Sequence, residues 1–148
     1  MPQISYYPIG QVDFDQFTAA FNRAYSDYFT PIVMTPGSFR ALIRQDDLDL
    51  DASVAALAGD EIVGTGMLGL RQDKAWIGGM GVVPEWRRHG IGLRMMEHLL
   101  AQAQTQRARE VRLEVIEANE AARRLYERLG FVPIRRLLVL ERTPENAL

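Results

Sequence analysis

A segment rich in arginine and glycine, residues 82–93, combines residue types that bind anions. It reads VVPEWRRHGIGL and is expected to join a strand to a helix. The first backbone N–H groups of a helix lack partners within it, and glycine lets the chain turn so that several converge on one anion. Arg87 and Arg88 would add full charges. The segment predicts a phosphate site, although a glycine-rich helix start with solvated arginines explains the same residues.

Two common phosphate motifs do not fit this segment. The chain has no Gly-Lys-Ser/Thr, so a nucleotide-hydrolysing P-loop is unsupported. Gly90-Ile91-Gly92 lacks the third glycine of the dinucleotide fingerprint, because Met95 stands in its place.

Glu114 and Tyr126 are two further side chains that could do chemistry. Glu114 interrupts an apolar strand, where a carboxylate must face water, a positive charge or a cleft. An ordinary solvent-facing residue, or a partner for Arg112, explains it equally well. Tyr126 has helical spacing with Ala122 and Leu129, and by spacing alone it is a core tyrosine.

Hydrophobic periodicity and turn signals predict the elements that position these residues. Strands are expected at 3–7, 52–58, 61–70, 75–83 and 110–116, with one or two last strands in 131–142. Helices are expected after caps at Asp13 (with its apolar stripe reaching Tyr28), Thr35 and Asn119, and at about 92–106. The acidic residues 46–51 are expected to form a surface turn. The order predicts an α/β fold, a mixed sheet with helices packed on it.

Length and composition exclude several classes of protein. The 148 residues suit a single domain, residues 1–148, and the absence of cysteine excludes disulfides and thiol chemistry. Two histidines are too few for a histidine-based metal site, and no metal is expected. A net charge of −2 gives no general case for nucleic-acid binding. No apolar run approaches the roughly 20 residues of a membrane helix, and no secretory signal is recognisable, so a cytoplasmic protein is expected.

Two sequence motifs together carry a family resemblance. Residues 87–92, Arg-Arg-His-Gly-Ile-Gly, resemble the Gln/Arg-x-x-Gly-x-Gly/Ala motif with which the GCN5-related N-acetyltransferases bind the pyrophosphate of acetyl-CoA. Asn119, Ala122 and Tyr126, followed by Gly130-Phe131, resemble the same family's later segment. The resemblance implies a mostly antiparallel central sheet with helices on both faces and a splayed pair of parallel strands. The pantetheine arm of acetyl-CoA would lie where these strands separate, bonded to free backbone groups around Val82 and Val83.

The resemblance also implies a reaction, the transfer of an acetyl group from acetyl-CoA to a primary amine by direct attack in a ternary complex. Tyr126 would be the acid that protonates the leaving thiolate, and Glu114 the base, although a water relay stays open. Ile116 departs from the arginine of the Leu-Glu-Val-Arg segment in protein N-terminal acetyltransferases, which weakens a protein terminus as acceptor. The acceptor could be a small molecule or a peptide or protein amine. The cofactor-binding residues would be Val82, Val83, Arg87, Arg88, His89, Gly90, Ile91, Gly92, Leu93 and Asn119.

Several alternatives stay open at this point. A module that binds acyl-CoA without turnover would share the phosphate loop. The glycines of strand 75–83 suit a bulge and equally suit packing against a helix. The aromatic residues of 25–29 could line the acceptor pocket or belong to the core. The run Leu137–Leu140 could pair two copies as a homodimer, as C-terminal strands do in some members of the family, or could be buried in the monomer.

Overall fold

The computed structural model describes residues 2–140. Its strands are β1 (Ile4–Pro8), β2 (Leu48–Ala58), β3 (Glu61–Arg71), β4 (Lys74–Val82) and β5 (Glu110–Leu113). Its α-helices are α1 (Phe14–Ala24), α2 (Pro36–Gln45), α3 (Ile91–Thr105) and α4 (Glu120–Arg128), and short 3-10 helices span Ile9–Gln11 and Pro84–Trp86. The chain divides into two compact units, Met1–Ile116 and Glu117–Leu148. The organisation as one domain stays a prediction.

The first unit contains one five-stranded sheet in the order β1-β2-β3-β4-β5. Neighbouring strands from β1 to β4 are antiparallel, and β4 pairs with β5 in parallel. This confirms the mixed, mostly antiparallel sheet. The parallel pair requires a crossover, which helix α3 provides.

Helices α1 and α3 lie on opposite faces of the sheet because side chains alternate along a strand. In β3, a Cβ atom on Gly64 would lie 2.9 Å from the methyl carbon of Met95 in α3. Met67 lies three residues further along β3 and therefore faces the other side of the sheet. It belongs to the buried cluster that contains Phe21 of α1 and Phe39 of α2. The expectation of helices on both faces is therefore confirmed.

The predicted helix caps are present in the structure. Asp13 accepts a hydrogen bond from the N–H of Gln16 at 2.9 Å, and Thr35 and Ser38 form a reciprocal capping box before α2. Helix α1 nevertheless ends at Ala24, so the expected continuation of its apolar stripe to Tyr28 is wrong. The N–H of Tyr28 instead bonds the carbonyl of Tyr25 at 3.1 Å in a turn.

Two expected strand boundaries differ from the structure. Strand β2 begins at Leu48, within the supposed acidic turn, because Leu48 and Asp49 pair with Gly69 and Leu68 of β3. The Asp49 carboxylate accepts the N–H groups of Asp51 and Ala52 in the irregular stretch that follows. Strand β5 ends at Leu113 rather than at 116.

The last strands expected in 131–142 are absent from residues 131–140, and positions 141 and 142 lie outside the described residues. Leu138, Val139 and Leu140 are 80%, 96% and 88% exposed. A β-rich composition alone does not make a strand, because a strand also needs a partner. Across residues 2–140 no helix has both the length and the apolar character needed to cross a membrane.

Candidate functional site

The sheet opens where strands β4 and β5 stop pairing. Their parallel register runs from Lys74 opposite Glu110 to Ile77 opposite Leu113. Beyond this point β4 continues to Val82 against β3 alone. The edge of β4 from Gly78 to Val82 therefore has no β5 partner, as the splayed pair predicted.

A β-bulge in β4 follows directly after this point. Thr65 of β3 pairs with Gly81 and Met67 pairs with Gly78, so Gly79 and Met80 stand opposite one residue. Gly79 has a φ of 59°, a left-handed conformation that favours glycine. A bulge bends and twists its strand, and this one begins next to the residue where the pairing of β4 with β5 ends. The predicted bulge is confirmed, and the packing alternative holds at Gly81, where a Cβ would lie 3.0 Å from that of Ala24.

Side-chain hydroxyls satisfy both carbonyls of the bulge. The buried Thr65 donates its hydroxyl to the carbonyl of Gly79 at 2.9 Å, and Tyr25 donates to that of Met80 at 3.0 Å. These contacts fix a conformation that a strand would not adopt unaided.

The backbone groups of Val82 face the open edge of β4. Val83 donates its N–H to Val63 of β3 at 2.8 Å, and its carbonyl accepts from Trp86 at 2.8 Å. Backbone groups alternate in direction along a strand, so those of Val82 point away from β3. The carbonyl of Val82 accepts Nε of Arg87 at 3.0 Å. The expectation of free backbone groups is therefore wrong at Val83. Of these four groups, the N–H of Val82 is the one that is left to face the open edge.

The loop before α3 presents a continuous row of free amides. The backbone N–H groups from Arg88 to Leu93 donate no hydrogen bond within residues 2–140, and the first paired amide is that of Arg94, bonded to the carbonyl of Gly90 at 3.1 Å. Arg88 and Gly90 have φ values of 65° and 77°. Left-handed residues in such a turn gather successive N–H groups into an anion-binding concavity. The geometry agrees with the predicted phosphate loop.

The two arginines of this loop differ in their contacts. Arg87 binds Asp27 through two hydrogen bonds of 2.7 and 2.8 Å, and this pairing lowers the pKa of Asp27 and raises that of Arg87. Arg88 is exposed and makes no side-chain hydrogen bond or ion pair within the described part of the chain. The expectation that both arginines add free charge to the loop is corrected at Arg87.

His89 turns back onto its own loop. Its Nδ1 lies 3.0 Å from the carbonyl oxygen of Trp86, so the tautomer protonated at Nδ1 donates there. The ring also lies 6.1 Å from that of Trp86. These contacts agree with a residue that contributes its backbone to the loop.

Glu114 lies at the point where the strands separate. It directly follows Leu113, the last paired residue of β5, and its side chain is exposed. The ion pair of Arg112 is with Glu110, at 3.3 Å, so Arg112 does not pair with Glu114. The role of Glu114 as a base stays a prediction.

Asn119 and Tyr126 belong to the second unit. Asn119 caps α4 by accepting the N–H of Ala122 at 3.3 Å, which confirms its structural role. Tyr126 is half-buried, and its ring lies 6.0 Å from that of Phe131 in an edge-on arrangement. The carbonyl of Tyr126 accepts the N–H of Phe131 at 3.0 Å and closes the helix. Their roles toward acetyl-CoA stay predictions.

Comparison with known proteins identifies the family. Residues 14–131 match the Acetyltransferase (GNAT) family, and the chain belongs to it. The chain is 34% identical over 84 residues to the [ribosomal protein bS18]-alanine N-acetyltransferase of Salmonella typhimurium, which covers 57% of this chain and 51% of that protein. It thus spans about half the length of the curated relatives it matches.

Solved structures share the fold at lower identity. Ard1 from Thermoplasma volcanium superimposes with a TM-score of 0.76 at 22% identity, covering 89% of this chain and 84% of that one. The aminoglycoside N-acetyltransferase AAC(6')-Iy, in complex with CoA, gives a TM-score of 0.74 at 14% identity, covering 96% of each chain. These likenesses confirm the fold.

Sequence reasoning missed Asp27 and Thr65. Both contact the loop or the bulge from elements distant in sequence. Asp27 and Arg87 are 60 residues apart in sequence and meet only in the folded structure, so no local sequence pattern predicts their pairing. One weak feature of the sequence could have pointed to Thr65, which is a polar residue inside an apolar strand.

Proposed function

We propose that this protein is an N-acetyltransferase that uses acetyl-CoA as acyl donor and a primary amine as acceptor. The observation that carries the proposal is the row of free amides from Arg88 to Leu93 beside the open edge of β4. Among the known chemistries of this family, a donor with a diphosphate and an amide-containing arm matches both features.

The residues present fit acetyl-CoA. The loop amides and Arg88, whose side chain has no partner among residues 2–140, would bind the diphosphate through charge-assisted hydrogen bonds. The N–H of Val82 would pair with the pantetheine arm, which would supply the partner that β5 does not. Acetyl-CoA itself supplies a thioester whose carbonyl carbon an uncharged amine can attack.

Glu114 and Tyr126 would carry out the proton transfers of this reaction. An alkyl amine has a pKa near ~10.4 in solution, so at neutral pH nearly all of it is an ammonium ion that cannot attack. Glu114 would remove that proton, and Tyr126 would give one to the departing thiolate. A backbone N–H of β4 would stabilise the negative charge that develops on the carbonyl oxygen.

The amines to be tested as acceptors are chosen from the relatives and from the sequence, and together they form a panel. The similar Salmonella protein is named for the alanine of a ribosomal protein, so a peptide with N-terminal alanine belongs in the panel. Small polyamines, aminoglycosides and free amino acids cover the remaining primary amines. Ile116, in place of the family's arginine, favours a small-molecule acceptor over a protein terminus.

The test is release of free thiol from acetyl-CoA with this panel. Tyr126→Phe should lower turnover by roughly 10²-fold or more while leaving CoA affinity within about twofold, because a general acid acts in the transition state. Tyr7→Phe, at an exposed position of β1, is the matched control and should retain activity. An equal loss of turnover and affinity would contradict the acid role. Tight CoA binding without thiol release for any amine would favour a non-catalytic acyl-CoA-binding module.

A homodimer through Leu137–Leu140 is also proposed. The high exposure of three of these four side chains supports an apolar surface that a second copy could cover. Sedimentation velocity should show a dimer that Leu138→Lys converts to monomer. A monomeric wild-type protein at all concentrations would contradict this pairing.

A further inference from the structure

We propose that Arg87 is a positioning residue rather than a phosphate ligand. With Asp27 it forms a clasp, defined here as the Asp27–Arg87 pair together with the carbonyls of Ala24 and Val82. The clasp would hold the phosphate loop and the open edge of β4 against the end of α1. This inference rests on the proposed use of acetyl-CoA.

Four of the five N–H groups of the Arg87 guanidinium donate hydrogen bonds within the protein. Its Nη1 and Nη2 donate to the two carboxylate oxygens of Asp27 at 2.7 and 2.8 Å. Its Nε donates to the carbonyl of Val82 at 3.0 Å, and Nη2 also donates to that of Ala24 at 3.1 Å. This two-pronged geometry is what the planar arginine fork provides and what lysine cannot reproduce. Each of its three nitrogens already has a partner.

A second contact ties the same end of α1 to β4. Tyr25 donates its hydroxyl to the carbonyl of Met80 at 3.0 Å, two residues before the Val82 carbonyl that Arg87 binds. Between them, a Cβ on Gly81 would lie 3.1 Å from the Tyr25 ring. The end of α1 therefore fixes β4 on both sides of Gly81, within the segment that β5 leaves open.

The two arginines differ in the net charge that they contribute beside the loop. Paired with Asp27, Arg87 contributes little net charge toward a diphosphate. If Arg87 left Asp27 to bind the diphosphate, an unpaired carboxylate would stay beside the loop and repel that anion. Arg88, with no partner within residues 2–140, provides the uncompensated charge.

The clasp also links the donor loop to an aromatic row. The ring of Tyr25 lies 4.9 Å from that of Tyr28, which lies 5.6 Å from that of Phe29. Phe29 is 58% exposed. Because these residues flank Asp27 in sequence, weakening the clasp should disturb the aromatic row together with the phosphate loop.

The decisive measurement is the CoA affinity of Asp27→Asn, by titration calorimetry on the whole protein. The clasp predicts affinity weaker by about three- to tenfold, because the loop loses its anchor. If Arg87 instead bound the diphosphate, removal of the competing carboxylate would tighten binding, and that result would overturn the proposal. Asp47→Asn is the matched control, since Asp47 pairs with Arg71 at the opposite end of β3. It should leave CoA affinity unchanged.

A second comparison uses acetyl-pantetheine, a donor without the diphosphate. Arg88→Gln should lower kcat/KM for acetyl-CoA by a much larger factor than that for acetyl-pantetheine, which has no diphosphate for Arg88 to bind. Arg87→Lys should lower both by similar factors, because a displaced β4 edge affects either donor. A loss confined to acetyl-CoA in Arg87→Lys would refute the clasp. If wild type turns over neither donor, the proposed function fails, whereas the Asp27→Asn calorimetry still decides the clasp.

Discussion

Two adjacent glycines of β4 should respond to alanine in opposite directions. Gly79 has a φ of 59°, where a Cβ costs about 1–2 kcal/mol. That atom would also collide with the methyl of Met67 and lie 3.2 Å from the ring of Phe21, both buried. The methyl is the flexible end of its side chain and can shift, so the overpacking should cost at most about 1 kcal/mol, the low end of the usual range. Gly79→Ala should therefore lower the free energy of unfolding by roughly 1–3 kcal/mol.

Gly78→Ala provides the matched control. A Cβ on Gly78 would meet nothing within 4 Å, and its φ is not positive. Alanine there restricts the unfolded chain and should stabilise the protein by about 0.4–1 kcal/mol. Urea denaturation followed by tryptophan fluorescence gives both values. A Gly79→Ala variant within about 0.5 kcal/mol of wild type, or equal losses in the two variants, would refute the bulge geometry.

Three further predictions concern charged side chains. Arg88→Gln should weaken CoA binding about tenfold in calorimetry and leave the urea midpoint unchanged, because the side chain has no partner in the described residues. Glu114→Gln should lower kcat by about 10²-fold or more at pH 7 and by less as the pH approaches that of amine deprotonation; a loss independent of pH would contradict the base role. Because Arg87 holds the pKa of Asp27 below its ordinary value of 3.8, the unfolded state binds more protons there, and the pair's contribution to stability is lost as the pH falls below 3.8. The unfolding free energies of wild type and Asp27→Asn should therefore converge in acid, and a constant difference would contradict this.

Local patterns predicted most of the helices and strands and the turn before α3. The caps at Asp13, Thr35 and Asn119 depend on side chains that bond amides three residues ahead, so the sequence contains the whole interaction. The unpaired amides before α3 follow from the helix start itself. These features need no knowledge of distant contacts.

Features that depend on distant partners could not be predicted in this way. The end of β5 at Leu113 coincides with the bulge of β4, a feature of a different strand that no residue of β5 predicts. The different contacts of Arg87 and Arg88 depend on Asp27, which lies in the turn after α1. Residues 131–140 have strand-like composition, yet they form no ladder.

The most direct test of the account is a titration with CoA followed by backbone amide NMR. The largest shift changes should fall on the amides from Arg88 to Leu93, and pantetheine, which has no diphosphate, should leave those six signals in place. Saturable CoA binding that leaves these signals unmoved, or no binding by the folded protein, would contradict the assignment of this loop to the diphosphate.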